Sequence, residues 1–222
     1  MPQNLKELAE GSTDMNSPKA RAVESSETAW SSELSTRERI VQVSSGLFAT
    51  DGFHATGISD ILDAVGVSRG TFYYHIESKD YLLYEICRVQ VDKMNAVART
   101  VILSEGSPVE KMGELARLLL RNISDHRAEW VVFFSEFGAL EGEWRREILT
   151  AREFYESYWT QVLGEVMSGR RSADLVSLYV KGVLGMLNYT YLWMRPEGDM
   201  KPEQVAEEFV SLLLYGMCGS AH

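Results

Sequence analysis

Apolar residues recur three and four positions apart along most of the chain after residue 35, which is the spacing of helices that bury one face. A short example runs from Ile58 to Val65, with four apolar residues at i, i+3, i+4 and i+7. Thr56 precedes this stretch as the predicted N-cap, and Gly66 follows it as the residue that ends a helix. The pattern predicts a short amphipathic helix.

A second short helix is predicted immediately after this glycine, with Ser68 as its N-cap and residues 69–75 as its body. Phe72 is its one obvious inward anchor. Two short helices joined by a glycine turn have the geometry that lays the second helix in a DNA major groove.

The remaining side chains of this second helix are long, polar or aromatic, and such groups suit phosphate oxygens and base edges. For any one of them, packing against a neighbouring helix stays an alternative. The DNA-contacting candidates of this helix are Ser68, Arg69, Gly70, Thr71, Tyr73, Tyr74 and His75.

Helices are also predicted on both sides of this pair. Ser35 or Thr36 caps the first, and an arginine at a helix N-terminus, here Arg37, can hold a phosphate. A long helix runs from Lys79 to about Leu103, and Lys79 is a further phosphate-binding candidate. The additional predicted DNA contacts are therefore Thr36, Arg37, Thr56 and Lys79.

The second half of the chain predicts further helices. A capping box with proline at the first position opens one at Ser107. The stretch from Trp130 to Leu140 is apolar nearly all round, which predicts a central helix. Helices over Trp144–Met167, from Ser172 to about Met194, and from Pro202 onward complete the pattern.

The run from Gly66 to His75, followed by Ser78, Lys79 and Leu82, resembles the signature of TetR-family transcriptional regulators. Ile40, Leu47-Phe48, Gly52-Phe53 and Thr56 match the same pattern upstream. Ile76 departs from it, because the family usually has phenylalanine there. The resemblance covers residues 36–83, and beyond them only chain length and helix layout match.

The predicted fold class is all-α, with an N-terminal three-helix helix-turn-helix DNA-binding domain and a C-terminal helical ligand-binding and dimerisation domain. The predicted domains are a disordered acidic tail over residues 1–34, the DNA-binding domain over 35–78 and the regulatory domain over 79–222. The resemblance implies a repressor, although the sequence itself does not distinguish repression from activation.

The helix after Ser172 carries apolar residues on two faces, which a monomer cannot easily bury. A homodimer through the last two helices, as the resemblance implies, would bury the second face and place two reading helices about 34–36 Å apart on a palindromic operator. The predicted interface residues are Val180, Gly182, Val183, Gly185, Phe209 and Leu213.

Aromatic residues crowd the helices between Val89 and Tyr191, and together they suit an apolar cavity with a few polar groups. Packing in the core is the alternative for each residue taken singly. The predicted ligand-binding residues are Met94, Leu119, Trp130, Phe134, Phe137, Tyr155, Trp159 and Asn188.

The run from Asn188 to Gly198 resembles that of family members that sense acyl-CoA thioesters or other lipid-like acyl compounds. If the effector is of that kind, Arg145, Arg146 or Arg152 is a candidate for binding the CoA phosphates. A flat aromatic effector is equally compatible with the sequence.

Charge qualifies this interpretation. The net charge is −10, and residues 36–80 carry four basic and six acidic side chains. Basic charge usually drives phosphate binding, so the predicted DNA-binding part must rely on where its few cations stand.

Other classes are disfavoured. Neither a membrane span nor a signal peptide is evident, which predicts a cytoplasmic, nucleoid-associated protein. Cys87 and Cys218 are expected to be buried rather than disulfide-bonded. The histidines and cysteines lack metal-ligand spacing, and neither a phosphate loop nor a nucleophile elbow occurs, so no catalytic site, metal or cofactor is predicted. The remaining alternatives are a constitutive DNA-binding dimer without an effector and a small all-α enzyme.

Overall fold

The computed structural model describes residues 34–167, 172–195 and 197–218, with side chains of the last helix described as far as Tyr215. The predicted acidic tail therefore lies outside the described residues, apart from Leu34. Contacts divide the chain into a unit that ends at Arg39 and a unit that begins at Ile40.

The described residues are helical with no strand, as the sequence predicts. None of their helices is long and apolar enough to cross a membrane. The helices are α1 Thr36–Asp51, α2 Ile58–Val65, α3 Arg69–His75, α4 Lys79–Leu103, α5 Pro108–Asp125, α6 Arg127–Glu136, a 3₁₀ turn Phe137–Ala139, α7 Gly142–Val166, α8 Ala173–Asn188, α9 Thr190–Trp193 and α10 Pro202–Cys218.

Serine side chains cap five of these helices, and each hydroxyl oxygen accepts a hydrogen bond from the backbone N–H three residues later. At the starts of α1 and α5 a glutamate completes a capping box. Because short polar caps are a local property, these helix starts follow from the sequence alone. The capping serines are Ser35, Ser68, Ser78, Ser107 and Ser172.

The most enclosed helix is α5, which packs against α4, α6, α7, α8, α9 and α10. The prediction that the Trp130–Leu140 stretch forms the central helix is wrong. That stretch ends as an α-helix at Glu136, continues as a 3₁₀ turn and buries Trp130, Val132 and Phe133. Leu140 is buried as well, whereas Val131, Phe134 and Phe137 are half-buried.

The predicted helix from Ser172 to Met194 is broken at Tyr189, which separates α8 from α9. The Thr190 hydroxyl is buried and donates to the Leu187 carbonyl oxygen at 2.7 Å, which satisfies an acceptor at the end of α8. This break directs Tyr191 towards α6, where its ring stacks on Phe134.

Cys87 lies within the core of α4, is fully buried and forms no disulfide. Burial raises the pKa of its thiol to about 12, so it is a weakly reactive structural residue. The side chain of Cys218 is outside the described part of the chain.

A substitution at Gly66 tests whether this residue is needed in the turn between α2 and α3 only for its backbone conformation. Its φ of 73° is left-handed, and an added Cβ would meet nothing within 4 Å. Gly66→Ala is expected to lower the free energy of unfolding by about 1–2 kcal/mol in urea denaturation, since only the left-handed strain is added.

Gly46→Ala is the matched control, because this glycine is in the interior of α1 with the same free space. It should raise stability by roughly 0.5–1 kcal/mol. Equal effects of the two substitutions would contradict the conformational explanation.

Candidate DNA-reading surface and ligand cavity

The entry to α2 differs from the prediction. Gly57, not Thr56, is the N-cap, and its N–H donates to the Asp60 carboxylate at 2.7 Å. Thr56 is 3% exposed, and its hydroxyl donates to the Gly52 carbonyl oxygen at 2.9 Å. Thr56 is therefore corrected from a DNA contact to a residue that holds the turn after α1, because a buried, bonded hydroxyl cannot reach a phosphate.

The turn between α2 and α3 is closed by two backbone hydrogen bonds to the Leu62 carbonyl oxygen, from Gly66 at 2.9 Å and from Val67 at 3.2 Å. Gly66 supplies the left-handed conformation that the turn needs. Ser68 then caps α3, as predicted, by accepting from Thr71 N–H at 3.1 Å. These local bonds fix the direction in which α3 leaves the turn.

One side of α3 is anchored in the core, and the other is open to solvent. Phe72 and Ile76 are both 0% exposed, so isoleucine at 76 is buried in the core. Tyr73 is 47% and Tyr74 84% exposed, so both aromatic side chains are open to solvent. We define the exposed and half-buried residues of α3 and its cap as the reading surface: Ser68, Arg69, Gly70, Thr71, Tyr73, Tyr74 and His75.

Lys79 has a structural role that the sequence did not predict. Its ammonium group donates to the carbonyl oxygens of Phe53 at 2.9 Å and Thr56 at 3.0 Å, and it lies 4.4 Å from the centroid of the Phe53 ring. The first residue of α4 thus holds the turn that leads into α2. Two of its three donors are engaged in this way, so Lys79 positions the entry to α2, and its contact with phosphate stays a prediction.

Thr36 and Arg37 begin α1 and are half-buried. They belong to the unit that ends at Arg39, and their contact with DNA stays a prediction.

A cavity of about 380 Å³ lies among α4, α6, α7, α8 and α9. This volume is at the lower end of the range typical of small-molecule sites. Five of the eight predicted ligand-binding residues line it: Met94, Trp130, Phe134, Tyr155 and Asn188.

The other three predicted residues do not line the cavity. Leu119 and Trp159 are 0% exposed and belong to the packed core. Phe137 lies in the 3₁₀ turn, where the guanidinium of Arg145 stands 4.7 Å from its ring centroid. Periodicity identified these residues as inward-facing, but it cannot separate a core position from a cavity wall.

Stacked rings form one wall of the cavity. The ring centroids of Trp130 and Phe134 are 5.6 Å apart at 25°, and those of Phe134 and Tyr191 are 4.8 Å apart at 26°. The indole N–H of Trp130 donates to Asn122 at 2.8 Å, which fixes its ring. The wall is therefore a rigid aromatic surface.

Charged residues also line the cavity, namely Arg152, Glu156 and Lys181. Among the predicted phosphate-binding arginines, Arg152 is placed at the cavity. Arg145 instead donates to the carbonyl oxygens of Phe137 and Leu140, and Arg146 is exposed and does not line it. The position of Arg152 three residues before Tyr155 was the sequence signal for its placement, since residues i and i+3 share a helix face.

One of the two apolar faces of α8 is buried in the fold, and the other is exposed. Val180 and Val183 are 2% and 1% exposed, so the prediction that they form a dimer interface is corrected: they pack inside the subunit. The opposite face is open and carries Leu178, Gly182, Gly185 and Tyr189. We call it the open α8 face.

Exposed apolar side chains extend beyond α8. Leu212 is 64% and Tyr215 80% exposed on α10, and Leu192 and Trp193 are about half exposed on α9. The predicted Phe209 and Leu213 are half-buried. Exposed apolar side chains in this number make these helices a candidate for a protein–protein contact.

The fold and these two regions define a class: a helix-turn-helix protein with a solvent-facing reading helix and a helical domain that encloses a cavity. The model for bacterial regulatory proteins of the tetR family matches residues 40–86, and the model for the tetracyclin repressor-like C-terminal domain matches residues 105–217. The chain belongs to the TetR family of bacterial transcriptional regulators.

Individual relatives agree with this assignment. The transcriptional repressor KstR2 of Mycobacterium tuberculosis (strain H37Rv) is 26% identical over 186 residues, covering 82% of this chain and 93% of KstR2. A TetR-family regulator from Bordetella parapertussis 12822 has a TM-score of 0.78 at 24% identity, with 84% of this chain and 97% of that chain covered. AibR, solved with isovaleryl coenzyme A and operator DNA, has a TM-score of 0.70 at 21% identity, with 80% and 97% covered.

Tyr74 offers the cleanest test of the reading surface. Tyr74→Ala should leave the thermal midpoint unchanged, because the side chain is 84% exposed, and should lower affinity for cognate DNA by about tenfold through the loss of contacts worth ~1–3 kcal/mol. Gel shifts measure the change, with genomic DNA fragments that were first selected by binding to the purified native protein. Phe154→Ala, an exposed aromatic on α7, is the control and should bind DNA normally.

Lys79→Met provides a contrast, because it should lower both stability and DNA affinity by releasing the turn after α1. If Tyr74→Ala bound DNA as tightly as the native protein, Tyr74 would be removed from the reading surface.

Proposed function

We propose that this protein is a ligand-responsive transcriptional repressor that binds a palindromic operator as a homodimer and leaves it when a small effector enters the helical domain. Family membership supports the regulatory role, and KstR2 is itself a named repressor. Site by site, the reading surface would contact bases and phosphates, and the cavity would hold the effector.

The observation that carries the proposal is that α4 belongs to both sites. Its first residue, Lys79, bonds to the turn that enters α2. Val91 and Met94 of the same helix line the cavity. At 1.5 Å per residue they lie roughly 18–22 Å along the helix from Lys79. A ligand that displaces this wall would move Lys79 as part of one rigid element.

A second connection runs through α6. Trp130, Phe133 and Phe134 line the cavity, and the 3₁₀ turn that follows α6 leads into residues 139–144. Those residues border a cleft with Phe53 and His54, next to the carbonyl that Lys79 holds. The start of α4 and the turn that follows α6 therefore lie near the same turn after α1, and both helices line the cavity, which favours a mechanism in which this turn is the switch.

For the effector we propose an apolar compound, with acyl-CoA thioesters as the leading class. The aromatic wall supports an apolar body, and Arg152 and Lys181 support a negative charge. AibR binds isovaleryl coenzyme A within the same fold, which makes such a ligand compatible with this architecture.

We propose the open α8 face together with α10 as the dimer interface. Gly182 and Gly185 leave room for close backbone approach, since an added Cβ would meet nothing within 4 Å. The cavity residues Gly185 and Tyr189 belong to this face, and Lys181 lies next to it. A second subunit there would also cover the rim of the cavity.

The domain organisation follows from these roles: residues 35–78 for DNA binding and 79–222 for regulation and dimerisation. We propose a cytoplasmic protein that acts at the nucleoid and no enzymatic activity. Within the described residues no group of histidines, cysteines and carboxylates is arranged to hold a metal. A constitutive dimer without an effector is the second candidate, favoured if the cavity proves to bind nothing.

Reciprocal linkage tests the mechanism. Effector affinity should fall about 5–150-fold when the protein is saturated with operator, because a ligand that weakens DNA binding must itself be weakened by DNA. Calorimetric titration of the effector, with and without a DNA fragment selected by the native protein, measures the ratio of the two affinities. Equal affinities would exclude this coupling and favour the constitutive dimer.

The interface is tested by Leu178→Asp, which places a charge at a side chain that is 63% exposed on the open α8 face. The variant should sediment as a monomer, since a buried unpaired carboxylate opposes association. Leu103→Asp is the control, because Leu103 is 76% exposed at the end of α4. Dimers of both variants would contradict the proposed interface.

A further inference from the structure

Tyr155 is a buried polar group of the cavity whose O–H has no hydrogen-bond acceptor among the described residues. Its side chain is 9% exposed and lines the cavity, and its hydroxyl makes no hydrogen bond with any residue the structure describes. Burial raises the pKa of the Tyr155 hydroxyl above its ordinary value, and a weak interaction with the Trp159 indole N–H, a donor to the hydroxyl oxygen from outside normal hydrogen-bond geometry, lowers it in part. The O–H itself has no acceptor among the described residues. The group is therefore a neutral O–H donor at physiological pH.

Other buried polar atoms also lack partners among the described residues, and none of them borders the cavity. One is the Trp159 indole N–H, a donor next to Tyr155 that offers the Tyr155 O–H no acceptor. Ser44, Gln90 and Asn95 are further examples. Buried hydroxyls are normally satisfied, and leaving one unsatisfied is destabilising. An unsatisfied hydroxyl at a cavity wall suggests that its partner is a molecule that enters the cavity.

The surroundings of Tyr155 limit the chemistry of that molecule. Val91, Met94 and Phe133 are at most 4% exposed and border the same space, so the body of the ligand must be apolar. Arg152 lies one helical turn before Tyr155 on α7, a spacing that puts their Cβ atoms about 5–6 Å apart.

Arg152 is placed to bind an anionic group of the ligand. Its guanidinium lies 5.8 Å from the ring centroids of both Phe133 and Phe137, and no carboxylate of the described residues pairs with it. The cavity lining carries two cations, Arg152 and Lys181, against the single carboxylate of Glu156, in a chain whose net charge is −10. This local excess of positive charge opposes the overall charge.

We propose that Tyr155 is the specificity-determining residue of the cavity and donates a hydrogen bond to the carbonyl or carboxylate oxygen of an apolar acid or its acyl thioester, with the ligand's negative charge facing Arg152 and Lys181. This inference rests on the proposed function of the cavity as the effector site. The volume of about 380 Å³ suits the acyl part, so the nucleotide of a CoA thioester would lie outside the enclosed space.

Four probes separate these contributions: 4-phenylbutyrate, 4-phenylbutyryl-CoA, methyl 4-phenylbutyrate and butylbenzene. They share a phenylalkyl body and differ in the oxygen and the charge. Quenching of tryptophan fluorescence measures binding, because Trp130 lines the cavity. The first two probes also distinguish a free acid from a thioester.

Tyr155→Phe should weaken binding of the three oxygen-bearing probes about tenfold or more and leave butylbenzene unchanged. Its thermal midpoint without ligand should change little, because the lost O–H has no acceptor among the described residues. Tyr158→Phe, on the same helix but not lining the cavity, is the matched control and should bind all four probes normally. Arg152→Gln should weaken the two anionic probes and leave the methyl ester unchanged.

An equal loss for butylbenzene would reduce Tyr155 to a packing residue and overturn the proposal. So would unchanged binding of the oxygen-bearing probes to Tyr155→Phe, or the failure of every probe to bind the native protein. Gel shifts separate the two levels. Binding that depends on Tyr155 but does not release DNA contradicts the proposed function alone, whereas release that is insensitive to Tyr155→Phe contradicts this inference alone.

Discussion

The two hydrogen bonds from Lys79 to the carbonyl oxygens of Phe53 and Thr56 are the contact on which the arrangement of the reading helix depends. Carbonyls at the turn after α1 would otherwise lack partners, and an ammonium group satisfies two of them at once. The bonds join the start of α4 to the turn after α1, and this turn sets the direction of α2 and α3. A shift of α4 therefore has a defined consequence at the DNA-facing side.

The reading surface carries little positive charge. Arg69 is the one basic side chain of the reading surface, apart from His75, and the neighbouring Lys79 is engaged within the protein. Electrostatic attraction to phosphate is therefore expected to be modest, and we expect recognition to rest on hydrogen bonds and contacts from Tyr73, Tyr74 and Thr71. Such a surface favours selectivity over non-specific affinity, which suits a protein that must find one operator.

The cavity shows the complementary situation, in which a destabilising feature is kept where a ligand can relieve it. Stacked rings of Trp130, Phe134 and Tyr191 make a rigid apolar wall, while the Tyr155 hydroxyl is left without a partner among the described residues. Ordinary cores avoid such groups because their desolvation is not compensated. A ligand whose oxygen accepts a hydrogen bond from this hydroxyl binds more tightly, because the hydroxyl is already desolvated in the free protein.

The sequence by itself determined the features that depend on neighbouring residues. Ser68, Ser78, Ser107 and the left-handed Gly66 act as predicted, because caps and turns are decided within a few positions. The class of fold and the family followed from the same local pattern around the reading helix. Apolar periodicity also identified which faces of the helices turn inward.

Only the tertiary structure decided which inward-facing residues border a space and which fill one. Leu119, Trp159, Val180 and Val183 have the same periodic signal as cavity or interface residues, yet each is packed inside the subunit. Thr56 and Lys79 likewise match a DNA-binding pattern but bond to the protein's own carbonyls. The reason is physical: periodicity reports the direction of a side chain, whereas its partner depends on elements that are distant in sequence.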